Sequence, residues 1–152
     1  MAIKIEQLPM EARGQCPKEL GFGAVFSDHM FTQHYDQGLG WHDPMVSPFH
    51  NLILHPAASV LHYGQEVFEG LKAYRRPDGG INLFRPEQNA RRFNRSAQRM
   101  VMPVVEESFH LEAIRTLVQT DQAWVPTEPG SSFYIRPAMI ATTPKLGPVS
   151  YT

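Results

Sequence analysis

A chain of 152 residues is long enough for one domain with a sizeable core, burying about 68–70% of its unfolded surface. Its 14 basic residues nearly balance 15 acidic ones, which excludes binding to nucleic acid or an anionic membrane through net charge, and its single cysteine, Cys16, excludes an internal disulfide framework. No run approaches the roughly 18 apolar residues of a spanning helix, and MAIKIEQLPMEARG has no apolar signal core, so the expectation is a soluble, cytoplasmic protein with neither membrane nor nucleic-acid partner.

Residues 1–20, punctuated by Pro9, Gly14 and Pro17, read as an arm leaning on the surface. FGAVFSDHMFTQHY, residues 22–35, predicts a strand and, after a kink, a second; GLGWHDP reads as a turn. PFHNLILHP reads as a short buried strand between prolines, and Pro56 with the small residues after it predicts a short helix. LHYGQEVFEGLKAY, residues 61–74, is bracketed inside by Gly64 and Gly70, which predict either a positive φ or a close backbone approach. VFEGLKAYRR and INLFR flank PDGG, a hairpin signal.

Pro86 then opens a predicted helix with a stripe of Ala90, Phe93, Ala97 and Met100, stopped by Pro103. A second helix is predicted from about Ser108 to Ala123, on Leu111, Ile114, Leu117 and Val118, followed by a loop at Pro126–Gly130. SSFYIRPAMIATT reads as one strand and PKLGP as an exposed connection. Strands, a hairpin, two helices and a strand predict an α+β fold: an antiparallel-rich sheet with two helices on one side.

Period two places Tyr134 and Arg136 on one strand face, with Phe133 and Ile135 on the other. That face suits a carboxylate, which an arginine fork binds through two parallel hydrogen bonds, or it is a solvated sheet face. The predicted helix carries Arg91, Arg92, Arg95 and Arg99, and Arg92, Ser96 and Arg99 border one edge of the apolar stripe, so that edge suits a phosphate or is simply a solvated face. Asp28 with His29, and Glu66 with Glu69, are candidate acid–base pairs, with exposed carboxylates as the plainer meaning. Lys72 is a candidate nucleophile if desolvated, but its hairpin position predicts solvation. Seven histidines form no HxH or HExxH spacing, so no metal site is assigned, and no GxSxG, Walker loop or GxGxxG is present.

LHYGQEVFEGLKAY, LFRPEQNARRFNRSAQRM and SFYIRPAMI, in that order and at these separations, resemble the branched-chain amino-acid aminotransferases. FGAVFSDHM and PFHNLILHPAASVLHYG extend the resemblance, which runs from Phe22 to Gly147. It implies a fold-type IV enzyme using pyridoxal 5'-phosphate, with an arm over residues 1–20, the N-terminal small domain over 21–147 and the start of an interdomain connection at 148–152. It implies Arg92 as the holder of the cofactor phosphate, Tyr134 and Arg136 in the substrate site, and Phe22, Tyr63 and Phe68 as the apolar wall for a branched side chain. It further implies a homodimer, with Tyr63 and the loop of Leu146 and Gly147 approaching the neighbouring subunit, although Pro148 stands where the family has a β-branched apolar residue. The implied substrates are leucine, isoleucine or valine and 2-oxoglutarate. The lysine that bonds the cofactor belongs to the family's C-terminal domain, and none of Lys4, Lys18, Lys72 and Lys145 matches it, so no catalytic residue is assigned and the chain alone is expected to be inactive. The alternatives are a non-catalytic dimerising or ligand-binding domain, a D-amino-acid aminotransferase or an aminodeoxychorismate lyase.

Overall fold

The computed structural model describes residues 1–19, 21 and 23–147. The α+β class holds, but the strands are distributed over three small sheets, and all pairings except one are antiparallel. In the first sheet β1 (Lys4–Ile5) runs parallel to β3 (Gly40–Pro48), whose other edge takes β2 (His29–Asp36). The arm therefore contributes a strand. Residues 24–27 form no strand, so the expected pair of strands before Tyr35 is one, and the expected turn at GLGWHDP is confined to residues 37–39. Trp41–Pro44 belongs to β3 because a bulge accommodates the proline: the register shifts between Thr32 and His34, and opposite the shift Asp43 adopts φ 49°.

PFHNLILHP is not a buried strand. The ladder ends at Pro48, and Leu52 and Ile53 are 56% and 98% exposed. The short helix expected after Pro56 is α1 (Ser59–Tyr63), which ends on Gly64 at φ 58°, a left-handed C-cap that glycine adopts without Cβ strain. Next come β4 (Glu66–Phe68), β5 (Leu71–Arg75) and β6 (Ile81–Leu83). The PDGG hairpin joins β5 to β6, with the Arg76 N–H donating to the Gly80 carbonyl at 2.8 Å.

Helix α2 (Pro86–Arg99) starts on its proline, where the missing N–H costs nothing, and buries Ala90, Phe93 and Ala97 as the stripe predicts. It stops at Met100, ahead of Val101 at φ 52°, so Pro103 lies beyond the stop rather than causing it. Helix α3 (Glu107–Thr120) is capped by the Glu106 carboxylate, which accepts from the N–H groups of Ser108 and Phe109. It closes three residues before the predicted end, and Gln122–Trp124 continues as a 3-10 turn.

The strand predicted in SSFYIRPAMIATT is two: β7 (Phe133–Ile135) beside β5 and β8 (Ala138–Ile140) beside β4. Pro137 has no N–H for a ladder and restricts Arg136 before it, so the chain changes sheet there. Two cores result. Leu71, Ala73, Ile114, Val118, Val125 and Ile135 form one; Val67, Phe93, Ala97 and Met102 form the other. Burying each large apolar side chain stabilises by about 1.5–3 kcal/mol.

Asp28 and His29 are not an acid–base pair but parts of a latch on the arm. Asp28 accepts from the Gly14 N–H and from Trp124 Nε1. His29 lies buried with Nδ1 2.5 Å from Asp121 Oδ1, and its Nε2 accepts from the Leu8 N–H at 2.9 Å. Ligand atoms of Asp28, His29 and Asp121 lie within 4.8 Å of one another, but both His29 nitrogens are committed to protein partners. Cys16 is half-buried, and burial raises its thiol above the ordinary range.

Candidate functional site

Two chain segments change sheets side by side: residues 69–70 between β4 and β5, and residues 136–137 between β7 and β8. The Glu69 N–H donates to the Pro137 carbonyl at 2.9 Å and fixes one crossing against the other. The consecutive residues Phe68, Glu69 and Gly70 then each meet a side chain singled out in the sequence.

Phe68, 59% exposed, presents its ring face to Arg136, whose guanidinium carbon lies 4.5 Å from the ring centroid. Arg136 also donates from Nη2 to the Tyr134 hydroxyl at 2.9 Å. Period two thus does put Tyr134 and Arg136 together, while Ile135 is buried in the core and Phe133 packs against it. Gly70 supplies the close approach: a Cβ there would stand 2.2 Å from the Tyr134 hydroxyl oxygen.

Glu69 is 5% exposed and receives Arg92 in a fork, Nε to Oε1 at 2.5 Å and Nη2 to Oε2 at 2.7 Å. Asn89 Nδ2 and the Gly70 N–H also donate to Oε2, at 3.0 and 3.2 Å. Burial alone would raise this carboxyl; its bonds from Arg92, Asn89 and Gly70, with the charge of Arg92, outweigh burial and hold it below the usual carboxylate range. The expected pairing of Glu66 with Glu69 does not form: Glu66 is exposed on β4, and Glu69 serves Arg92.

Beside that pair opens a cleft of about 460 Å³ lined by Glu66, Phe68, Arg92, Arg95, Ser96 and Arg99, among others. The helix edge predicted as an anion site is therefore a cleft wall. Its arginines outnumber the two carboxylates, Glu66 and Glu69, so it retains positive charge for an anion. Asn89 was not among the sequence candidates, though its position one helical turn before Arg92 marks the same face.

Tyr63 lies elsewhere. Its hydroxyl accepts from the Gly147 N–H at 2.8 Å, so the structure joins Tyr63 to the predicted subunit-contact loop rather than to Phe68. Tyr63 and Leu146 are 46% and 65% exposed. Lys72 is exposed on β5 opposite Tyr134, which fits solvation and removes the nucleophile reading. Phe22 and Pro148 lie outside the described residues.

No family model matches the chain. It is 55% identical over 131 residues to branched-chain-amino-acid transaminase 1 of Bacillus subtilis (strain 168), a match covering 86% of this chain and 37% of that protein. It is 50% identical over 131 residues to the cytosolic branched-chain-amino-acid aminotransferase of Mus musculus, covering 86% of this chain and 34% of that protein. In fold it is similar to the branched-chain amino acid aminotransferase from Escherichia coli, with a TM-score of 0.57 and 26% identity over 70% of this chain and 35% of that one. The chain thus spans little more than a third of the length of these relatives, and within that span it corresponds in sequence and fold to the branched-chain amino-acid aminotransferases.

Proposed function

We propose that this chain is the N-terminal part of a pyridoxal 5'-phosphate-dependent branched-chain aminotransferase, with an arm over residues 1–20, a small domain over 21–147 and the start of an interdomain connection at 148–152. One observation supports this most: the tripeptide Phe68–Glu69–Gly70 places a fork suited to a carboxylate next to a cleft suited to a phosphate. Both anions belong to one reaction, amino transfer between a branched-chain amino acid and 2-oxoglutarate on a phosphate-bearing cofactor. The cofactor, when bound, supplies the electron sink for that transfer.

The residues present fit its phosphate. Glu69 takes one donor each from Nε and Nη2 of Arg92, which leaves the Nη1 donors and the second Nη2 donor for an anion, and Arg95, Ser96 and Arg99 share the cleft. Arg136, backed by Tyr134 and by the Phe68 ring, takes the distal carboxylate of glutamate or 2-oxoglutarate. Phe68 is offered to the side chain of leucine, isoleucine or valine, with Phe22 assigned to the same wall by the resemblance alone; Tyr63, which lies apart from Phe68, is assigned to the neighbour's site. The exposed Tyr63–Gly147 contact, with Leu146 beside it, supports a homodimer in which this corner meets the neighbour.

None of Lys4, Lys18, Lys72 and Lys145 is assigned the reacting amine, which falls to the part of the relatives that this chain does not span. A cytoplasmic location accords with the cytosolic relative, and no helix among the described residues is long and apolar enough to cross a membrane.

Joined to the remaining part of a branched-chain aminotransferase, the chain should convert 2-oxoglutarate to glutamate with L-leucine, L-isoleucine and L-valine, and alone it should not. Turnover with D-alanine in place of these donors, or turnover by the chain alone, would overturn the assignment.

A further inference from the structure

We propose that Glu69 is a positioning residue for the anion cleft, its buried carboxylate fixing the Arg92 guanidinium in the orientation that receives a phosphate. The inference rests on the phosphate reading of that cleft and assigns Glu69 a role within it. By charge alone the arrangement is unfavourable, since a carboxylate behind the cleft repels the anion the arginines attract. Its geometry is nonetheless highly specified. The Glu69 side chain is 4% exposed against 56% for Arg92, so the pair has a closed side and an open one.

On the closed side Glu69 takes both nitrogens of one guanidinium edge, at 2.5 and 2.7 Å. It is itself held by Asn89 and the Gly70 N–H, and Asn89 Nδ2 also donates to the Gly70 carbonyl at 3.1 Å. A planar guanidinium gripped along one edge keeps its other N–H donors in a fixed plane on the sides turned away from Glu69. An arginine on a solvated helix face would instead lose its rotamer freedom when the anion arrives. Glu69 orders it beforehand, at the expense of some attraction.

The two effects predict opposite signs, so one titration separates them. The full chain is titrated with inorganic phosphate while NMR follows the Arg92 Nε–H and the backbone of α2. Glu69→Gln removes a negative charge and keeps the size. If Glu69 acts only as a charge, binding should tighten about threefold. If it positions Arg92, binding should weaken about tenfold, equivalent to about 1.4 kcal/mol, and the Arg92 Nε–H should broaden even without phosphate.

Asn89→Ala leaves the charge unchanged and should weaken phosphate in the same direction by a smaller factor, so the proposal stays testable if Glu69→Gln does not fold. Unchanged or tighter binding in a folded Glu69→Gln, or unchanged binding in Asn89→Ala, overturns the positioning role. Arg92→Ala isolates the parent reading: phosphate affinity equal to that of the unsubstituted chain would overturn the phosphate site itself, whatever Glu69→Gln does.

Discussion

Replacing Asp121 with alanine is expected to cost about 2–6 kcal/mol, because it leaves two buried donors without an acceptor at about 1–3 kcal/mol each. Asp121 is 2% exposed; its Oδ1 faces His29 Nδ1 at 2.5 Å, and its Oδ2 accepts from the His29 N–H at 3.0 Å. The His29 side chain is itself fully buried, so water cannot replace either bond. Because Nε2 accepts from the Leu8 N–H, the ring proton sits on Nδ1 and points at Asp121. The consequence reaches the N-terminus: Asp121 orients His29, His29 holds Leu8, and Asp28 holds Gly14. Urea denaturation should show the stability loss, and trypsin should cut after Arg13 faster than in the unsubstituted chain. Asp121→Asn keeps one acceptor and should lose less; equal and small losses in both would contradict the latch.

If Arg92 holds the phosphate as proposed, Arg92→Ala is expected to weaken retention of pyridoxal 5'-phosphate by about 100-fold or more in the completed enzyme, since a hydrogen bond to a charged group contributes about 1.5–3 kcal/mol and the guanidinium keeps donors for more than one. It also strands the buried Glu69 carboxylate, so some loss of stability accompanies the loss of cofactor. Arg92→Lys separates the two contributions. It restores charge without the planar fork, and should recover stability more than cofactor retention. Equilibrium dialysis against the cofactor, read beside thermal melts, checks both; undiminished retention in Arg92→Ala would contradict the assignment.

What was legible in the sequence follows the range of the interactions. The PDGG hairpin and the start of α2 at Pro86 are decided by a few adjacent residues, and both were predicted. Gly64 and Gly70 were singled out with two meanings left open; each took one, a left-handed cap and a contact with Tyr134. PFHNLILHP failed because its apolar content matches a buried strand, while burial depends on a partner that local pattern does not encode. The break at Pro137 was signalled by the proline itself and outweighed by the β-branched residues around it.

At the site, Tyr134 with Arg136 was readable by period, and the edge of Arg92, Ser96 and Arg99 by helical spacing. The link between them was not. Glu69 meets Arg92 across 23 residues, and Arg136 lies over Phe68, contacts between distant segments that no local pattern encodes. The family resemblance named Arg92, Arg136 and Phe68 without their partners and did not name Glu69; only the fold gave Glu69 its neighbours.

The most direct test is a two-substrate kinetic comparison of Arg136→Ala in the completed enzyme. The Arg136 guanidinium, stacked on Phe68 and bonded to Tyr134, is proposed to bind a carboxylate that glutamate has and leucine lacks. Loss of a charged hydrogen-bonding partner of this kind is worth about 1.5–3 kcal/mol, so kcat/KM for glutamate should fall about 10- to 100-fold. For leucine it should stay within about threefold. Equal losses for the two substrates would contradict the claim that Arg136 sorts them.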